Sequence, residues 1–154
     1  MNTPADLHIK TCLFEDESKA IRCIREAVFQ IEQGIDSALE WDGLDGAAVH
    51  LVATVQGESA GVARLREIPG SSVLKLERLA VLPAYRRQGI GGEMVHTAIA
   101  YSRTQGYTKI AIHAQMPTVG FYEQLGFTAV GEPFEEASIP HLKMERSLSD
   151  PEEG

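Results

Sequence analysis

The first third of the chain contains two different spacings of apolar residues. Positions 7–14 alternate between apolar and polar side chains, as a half-buried β-strand does. From position 17 to about 33 the apolar residues recur every three or four positions, which predicts a helix with one apolar stripe. Asp16 is a candidate N-cap for this helix, and Gly34 is a stop signal after it. Positions 35–46 are rich in turn residues and predict a loop with one helical turn.

The rest of the chain alternates between apolar segments and turn residues. Three strands separated by glycine-containing turns are predicted at positions 48–55, 60–67 and 73–82. The pattern then predicts a long helix, a buried strand, a short helix and two further strands, at positions 89–105, 108–114, 118–125, 128–132 and 141–146. One mixed sheet flanked by helices satisfies this order, so we expect an α+β fold.

Composition limits the number of domains and the kind of partner. A chain of 154 residues fits one domain, which we assign to positions 1–148, with an acidic tail at positions 149–154. The 14 basic and 22 acidic residues give a formal net charge of −8. Nucleic acids and anionic membranes are bound through basic surfaces, so we expect neither as a partner.

The cysteines and the N-terminus indicate a compartment. Cys12 and Cys23 have neither the spacing of a disulfide framework nor that of a metal site. The first ten residues contain no basic leader and no apolar signal core, and no apolar run approaches the length of a membrane span. These features predict a cytoplasmic protein with reduced cysteines.

The segment between the strand 73–82 and the long helix contains the residues that indicate chemistry. The strand ends at Pro83, and a loop rich in arginine and glycine, residues 86–92, then opens the helix. Such a loop presents consecutive backbone N–H groups at the positive end of a helix dipole, where phosphates commonly bind. Arg86 and Arg87 can add charge-assisted contacts. Taken alone, the same residues also fit a helix start whose glycines serve only packing.

Three motifs together resemble the GNAT superfamily of N-acetyltransferases. The sequence RRQGIG at 86–91 matches the family motif Gln/Arg-x-x-Gly-x-Gly/Ala. The preceding LAVLPAYRR and the later FYEQLGF at 121–127 match its flanking signatures. Further matches to the ElaA-like branch are AVF at 27–29 with Glu32 and Gln33, WDGLD at 41–45, Ala114 with Gln115, and IPH at 139–141. Neither the dinucleotide fingerprint nor the phosphate-loop pattern of nucleotide triphosphatases is met.

The resemblance implies a fold and a cofactor. The fold is that of acyl-CoA N-acyltransferases, with a central, mostly antiparallel sheet that contains one splayed parallel pair of strands. The cofactor is acetyl-CoA, and its acetyl group moves to an amine by direct attack in a ternary complex, without a metal. The residues implied to bind the cofactor are Leu79, Ala80, Val81, Arg86, Arg87, Gln88, Gly89, Ile90, Gly91, Gly92, Gln115 and Phe121. A backbone N–H near Leu79 or Ala80 would polarise the thioester carbonyl.

The resemblance also implies an acid, and the residues offer several bases. Tyr122 matches the family tyrosine that protonates the departing thiolate, with simple packing beside the cofactor as the alternative. Glu77, on the strand beside the cofactor, is the candidate base, although it also fits an ordinary polar strand residue. His113, His141 and His50 are further candidates.

The acceptor is the least determined part of the prediction. Contacts to it are expected from Glu32, Gln33, Trp41 and His141, and acidic and aromatic residues near the first helix would suit an ammonium group. Arg64 and Arg78 would instead suit an anionic acceptor. The expected acceptor is therefore a small-molecule or peptide amine whose charge the sequence does not determine. The sequence also does not determine whether the protein forms a homodimer, although dimers are common in the family. Two alternative functions are transfer of a different acyl group and non-catalytic sensing of acyl-CoA.

Overall fold

A mixed sheet of eight strands forms the centre of the structure, a computed structural model that describes residues 3–148. The order across the sheet is β1-β2-β3-β4-β5-β8-β6, and β7 pairs with β8. The strands are Leu7–Leu13 (β1), Val49–Val55 (β2), Glu58–Glu67 (β3), Val73–Val81 (β4), Lys109–Gln115 (β5), Thr128–Ala129 (β6), Phe134–Glu136 (β7) and Ile139–Ser147 (β8). The tail expected at positions 149–154 lies outside the described residues.

Four α-helices flank the sheet within residues 3–148: Ser18–Arg25 (α1), Ser37–Glu40 (α2), Ile90–Thr104 (α3) and Val119–Gln124 (α4). The helix predicted at 17–33 is present, but its second half, Glu26–Glu32, has the wider turns of a π-helix. The prediction that Asp16 caps this helix is wrong. The Asp16 carboxylate accepts a hydrogen bond from the Leu13 N–H at 3.2 Å, and Glu17 is the N-cap residue. No helix between residues 3 and 148 combines the length and the apolar composition needed to span a bilayer.

Each face of the sheet has its own apolar cluster, because neighbouring strand residues point to opposite faces. On one face α3 contributes Met94 and Ile99 to a cluster that includes Leu76 of β4 and Ile112 of β5. On the other face α1 and its π-helical continuation pack on β2, β3 and β4. The members of that second cluster are Ile21, Ile24, Val28, Phe29, Val52, Val62 and Ala80.

The parallel strands β4 and β5 separate before either one ends. Their pairing runs from Val73 with Lys109 to Leu76 with Ile112, although β4 continues to Val81 and β5 to Gln115. On its other side, β4 shifts register against β3, and Arg78 at this shift has a left-handed φ of 56°. Such a β-bulge bends the strand that contains it. The bulge therefore turns the end of β4 away from β5, and the splayed pair implied by the family resemblance is present.

The C-terminal strands differ from the sequence prediction. The strand predicted at 128–132 is only two residues long, the strand predicted at 141–146 extends over Ile139–Ser147, and β7 was not predicted. Strands β7 and β8 are joined by Ala137 and Ser138, whose φ angles of 52° and 62° are both left-handed. Two such residues make a tight hairpin turn that usually contains Gly or Asn. The sequence here has neither residue, so its usual hairpin signal is missing.

The fold predicts a packing constraint at Gly61 on β3. A Cβ added there would lie 2.9 Å from Met94 Sδ and 3.0 Å from the Ala80 carbonyl oxygen. Gly61→Ala should lower the free energy of unfolding by about 1–3 kcal/mol, because the fully buried Met94 and the backbone of β4 would both have to move. Urea denaturation measures this. Gly46→Ala is the control, since its added Cβ would meet nothing within 4 Å and should change stability by less than about 0.5 kcal/mol. Equal stability of the two variants would contradict the packing.

Candidate active site

The separation of β4 and β5 opens a cleft of about 430 Å³. The end of the π-helical segment and α2 form one wall, and the hairpin of β7 and β8 forms another. Eight of the residues predicted to be functional line this cleft together: Gln33, Glu77, Arg78, Leu79, His113, Gln115, Tyr122 and His141. The other cofactor candidates lie outside the lining, at the end of β4, in the loop after it, on the first turn of α3 and on α4. They are Ala80, Val81, Arg86, Arg87, Gln88, Gly89, Ile90, Gly91, Gly92 and Phe121.

The loop after β4 leaves the first amides of α3 without a capping side chain. Gly89 is the N-cap residue with a left-handed φ of 79°, and no side chain within residues 3–148 makes a capping hydrogen bond there. Arg87 also has a left-handed φ, 64°, which is a strained conformation for a residue with a side chain. A Cβ added to Gly92 would meet nothing within 4 Å. Within residues 3–148 no side chain caps the N–H groups of this helix start, as an anion site requires, although the Thr3 side chain lies close to Gly89.

Arg86 joins this loop to the π-helical segment. Its guanidinium donates to both carboxylate oxygens of Glu32, at 2.7 and 2.8 Å, and its Nε donates to the Val81 carbonyl at 2.8 Å. The hydrogen bond from Arg86 lowers the pKa of Glu32. Glu32 was expected to contact the acceptor, but the structure places it at the cofactor loop, outside the cleft lining.

The end of β4 presents an edge without a strand partner on the cleft side. Arg78 and Leu79 have no pairing partner in the register of β4 with β3, and β5 pairs with β4 only as far as Leu76. Backbone N–H and C=O groups on such an edge are available to an extended ligand that contains amides. Leu79, Ala80 and Val81, which were predicted to bind the cofactor, lie on this stretch, and the Val81 carbonyl already accepts a hydrogen bond from Arg86.

Tyr122 lies at the base of the cleft with 8% of its surface exposed. Its ring packs edge to face on Phe121 and Phe127, with ring centroids 4.9 and 5.6 Å apart. Burial raises the pKa of the Tyr122 phenol well above its usual value. The hydroxyl therefore remains protonated at neutral pH, but the raised pKa also makes it a weaker proton donor than an ordinary phenol.

Glu77 is held by three cations. Its carboxylate accepts two hydrogen bonds from Arg66, at 3.0 and 3.1 Å, while Arg64 lies at 2.9 Å and Lys75 at 3.2 Å. Burial alone would raise the pKa of Glu77, but the hydrogen bond from Arg66 and the charges of Arg64 and Lys75 lower it to about 2. A carboxylate with such a low pKa is a weak proton acceptor. The pairing therefore opposes the expected role of Glu77 as the base.

Behind Glu77 lies a buried network of charges that the sequence analysis missed. Arg25, 1% exposed, donates to Asp45 at 2.6 Å and forms an ion pair with Glu40, which is 2% exposed. Arg64 donates to Asp42 and Asp45 at 2.9–3.1 Å. The hydrogen bond from Arg64 holds the pKa of Asp42 far below its usual range. A signal for this network was present, since Arg25 lies on the apolar stripe, four residues after Ile21.

Trp41 belongs to this network and does not line the cleft. The Arg25 guanidinium lies 4.3 Å from the centroid of its ring, and the indole N–H donates to Gln30 at 2.8 Å. Arg78 also joins the network, with its Nε 3.1 Å from a carboxylate oxygen of Glu40. The structure thus pairs Arg64 and Arg78, which had suggested an anionic acceptor, with carboxylates of the protein.

The wall formed by β5, β7 and β8 contains the remaining candidates. The Gln115 amide donates to the Gln33 side chain at 3.0 Å across the cleft. His141 Nδ1 lies 2.7 Å from the Ile139 carbonyl oxygen, and His113 Nδ1 lies 2.8 Å from a carboxylate oxygen of Glu136. Glu136 was not singled out from the sequence, because its proximity depends on the unpredicted β7. Within residues 3–148, no group of three or more His, Cys, Asp and Glu side chains could hold a metal ion.

Known proteins resemble the chain over most of its length. A family model described as "Acetyltransferase (GNAT) domain" matches residues 17–148. The uncharacterised N-acetyltransferase YjcF of Bacillus subtilis (strain 168) is 32% identical over 131 residues, which cover 84% of this chain and 92% of that protein. The structure of an acyl-CoA N-acyltransferase from Pseudomonas aeruginosa has a TM-score of 0.80 and 29% identity, over 91% of this chain and 99% of that one. ElaA of Escherichia coli shares the fold, with a TM-score of 0.81 and 23% identity over 91% of this chain and 99% of its own.

The buried network predicts a large cost for removing one cation. Arg25→Met should lower the free energy of unfolding by about 3–5 kcal/mol, because Glu40 and Asp45 would remain buried with less compensation. Adding Glu40→Gln to Arg25→Met should recover part of this loss, and urea denaturation measures both. Arg22→Met is the matched control: Arg22 is exposed on the same helix and also lies over Trp41, at 5.4 Å, so its loss should cost less than about 1 kcal/mol. A similar cost at both arginines would contradict the network.

Proposed function

The chain belongs to the acetyltransferase (GNAT) family, and from this membership we propose that it transfers an acetyl group from acetyl-CoA to an amine. The observation that supports the proposal most is the continuity of three features. An unpaired strand edge leads through the loop of residues 82–89 to an uncapped helix start, and that edge borders a cleft that contains a buried tyrosine.

The residues present fit coenzyme A. The amides at the start of α3 would bind the pyrophosphate, with Arg87 and Gln88 beside them, and the edge of β4 from Leu79 to Val81 would hydrogen-bond the amides of the pantetheine arm. Phe121 would pack beside that arm, because its ring lies 3.7 Å from where a Cβ on Gly91 would be. The acyl-CoA named for the Pseudomonas aeruginosa relative agrees with this assignment. When bound, the group supplies a thioester whose acetyl carbon is open to attack by an amine.

The roles of the chain follow from this placement. The backbone N–H at Leu79 or Ala80 would stabilise the charge that develops on the thioester oxygen. Tyr122 would give its proton to the departing sulfur. Gln33 and His141 would contact the acceptor, which enters between the π-helical segment and the hairpin of β7 and β8, and Gln115 would orient the cofactor arm. Glu77 would act as a fixed negative charge in the cleft.

The test is a thiol-release assay with acetyl-CoA and a panel of amines: a diamine, a lysine-containing peptide and an amino sugar. Acetyl transfer to any of them supports the proposal. Binding of CoA without transfer to any amine would favour a non-catalytic acyl-CoA sensor. Faster release from propionyl-CoA or a longer acyl-CoA than from acetyl-CoA would favour transfer of a different acyl group.

The role of Tyr122 as the proton donor can be tested by removing its hydroxyl. Tyr122→Phe should lower kcat at least tenfold, because the sulfur loses its proton donor, while the Kd of CoA changes less than about twofold. Steady-state kinetics and calorimetry measure the two quantities separately. Since burial raises the pKa of Tyr122, its ionisation should not limit the wild-type rate below about pH 10. Unchanged turnover in the variant would remove Tyr122 from the mechanism.

The proposed anion site at the start of α3 can be tested by adding a negative charge there. Gly92→Asp should weaken CoA binding by about tenfold at low salt, because a carboxylate would repel the pyrophosphate across a few ångströms. Gly92→Asn has nearly the same shape without the charge and is the matched control. The Asp variant should be at least as stable as the Asn variant, since a negative charge stabilises the first turn of a helix. Equal affinity of the two variants for CoA would place the pyrophosphate elsewhere.

A further inference from the structure

His113 occupies the point at which β4 and β5 part. Ile112 is the last residue of β5 that pairs with β4, and His113 follows it immediately. Ile110, Ile112 and Ala114 belong to the cluster under α3, so the alternation of the strand turns His113 to the opposite face, toward the wall formed by the hairpin of β7 and β8. Glu77 holds the equivalent position on β4, directly after Leu76. His113 and Glu77 therefore flank the cleft where an amine must approach the thioester.

The partner of His113 determines which ring nitrogen is free. An ionised carboxylate only accepts hydrogen bonds, and the hydrogen bond with His113 lowers the pKa of Glu136, so Glu136 is ionised at neutral pH. His113 Nδ1 therefore carries the hydrogen in the 2.8 Å contact. In the neutral imidazole this leaves a lone pair on Nε2, which is the arrangement of a histidine base oriented by a carboxylate.

Local structure fixes this pair in place. The His113 ring packs edge to face on Phe134 of β7, with ring centroids 4.9 Å apart. Glu136 ends β7 and is followed by the turn Ala137–Ser138, whose two left-handed residues fold the hairpin back toward β5. Strain of this kind persists where the surrounding structure determines the conformation.

We propose that His113 is the general base of the acetyl transfer, with Glu136 as the residue that positions it. This inference rests on the proposed function. The amine nitrogen forms a bond to the acetyl carbon, and His113 Nε2 takes a proton from that nitrogen. The C–S bond then breaks, its electron pair stays on sulfur, and the sulfur takes the proton of the Tyr122 hydroxyl. His113 releases its proton to solvent and Tyr122 regains one, which returns the enzyme to its starting state.

Other charged groups near His113 would contribute to the pH dependence of its function. They are Lys75 and Glu77 on β4, Glu136 on β7, and His141 and Lys143 on β8. Lys75 and Glu77 form an ion pair with each other at 3.2 Å. Glu136 is the group in direct contact with the ring, with a carboxylate oxygen 2.8 Å from Nδ1.

The test compares three variants with the wild type, using the best amine of the panel in the thiol-release assay. His113→Gln should lower kcat/KM about 100-fold or more across the pH range, whereas the acid limb caused by protonation of the acceptor amine should remain. Glu136→Gln should lower kcat/KM about tenfold and remove the preference for the Nδ1–H tautomer in the ¹⁵N NMR spectrum, because the carboxylate that orients the ring is gone. Glu135→Gln is the matched control; Glu135 is exposed on the same short strand, and its variant should keep the wild-type profile.

The outcomes separate the two proposals. A wild-type protein that acetylates no amine contradicts the proposed function. An active wild type whose His113→Gln variant keeps the wild-type kcat/KM overturns the base assignment. A second measurement needs neither an acceptor nor a folded variant. In ¹⁵N NMR of the wild-type protein, the His113 imidazole should be the Nδ1–H tautomer at neutral pH. An Nε2–H tautomer of His113 would overturn the proposal.

Discussion

The early separation of β4 from β5 is the constraint on which the rest of the structure depends. Four ladder pairs join the two strands, and the bulge at Arg78 then bends β4 away from its neighbour. A sheet that parts in this way exposes backbone groups that would otherwise be paired, which is costly unless a ligand or water satisfies them. The same bend places the first turn of α3 beyond the open edge. The loop of residues 86–92, the open strand edge and the cleft thus all adjoin one local irregularity of β4.

A second feature of the fold is the dense charge network on the acceptor side of the sheet. Four carboxylates, Glu40, Asp42, Asp45 and Glu77, meet the guanidinium groups of Arg25, Arg64, Arg66 and Arg78. Buried ion pairs contribute little net stability compared with apolar packing, but their hydrogen bonds are directional. This network therefore fixes the positions of α2 and of Glu77 at the cleft. It also neutralises residues that looked like acceptor contacts in the sequence.

The sequence predicted those parts of the structure that local patterns encode. The helices, most strands and the loop before α3 follow from apolar periodicity, glycine positions and the motif at 86–91, and the structure confirms their order. Pairings between distant residues were not accessible in this way. Glu136 meets His113 only because Ala137 and Ser138 form a turn without its usual residues, and Arg25 meets Glu40 across a 15-residue separation. Glu77 could be placed beside the cofactor from its strand, but its ion pairs depend on the register with β3.

Two adjacent residues at the end of the π-helical segment contact both sides of the splayed strands. Glu32 holds Arg86 in the loop after β4, and Gln33 reaches Gln115 at the end of β5. A pyrophosphate that drew Arg86 away from Glu32 would also release the turn that holds Gln33 over the acceptor wall. Energetic linkage between two sites is reciprocal, so an acceptor that displaced Gln33 would change the affinity for the cofactor by the same factor. One turn of helix that touches neither reacting atom would therefore couple the affinities for the two ligands.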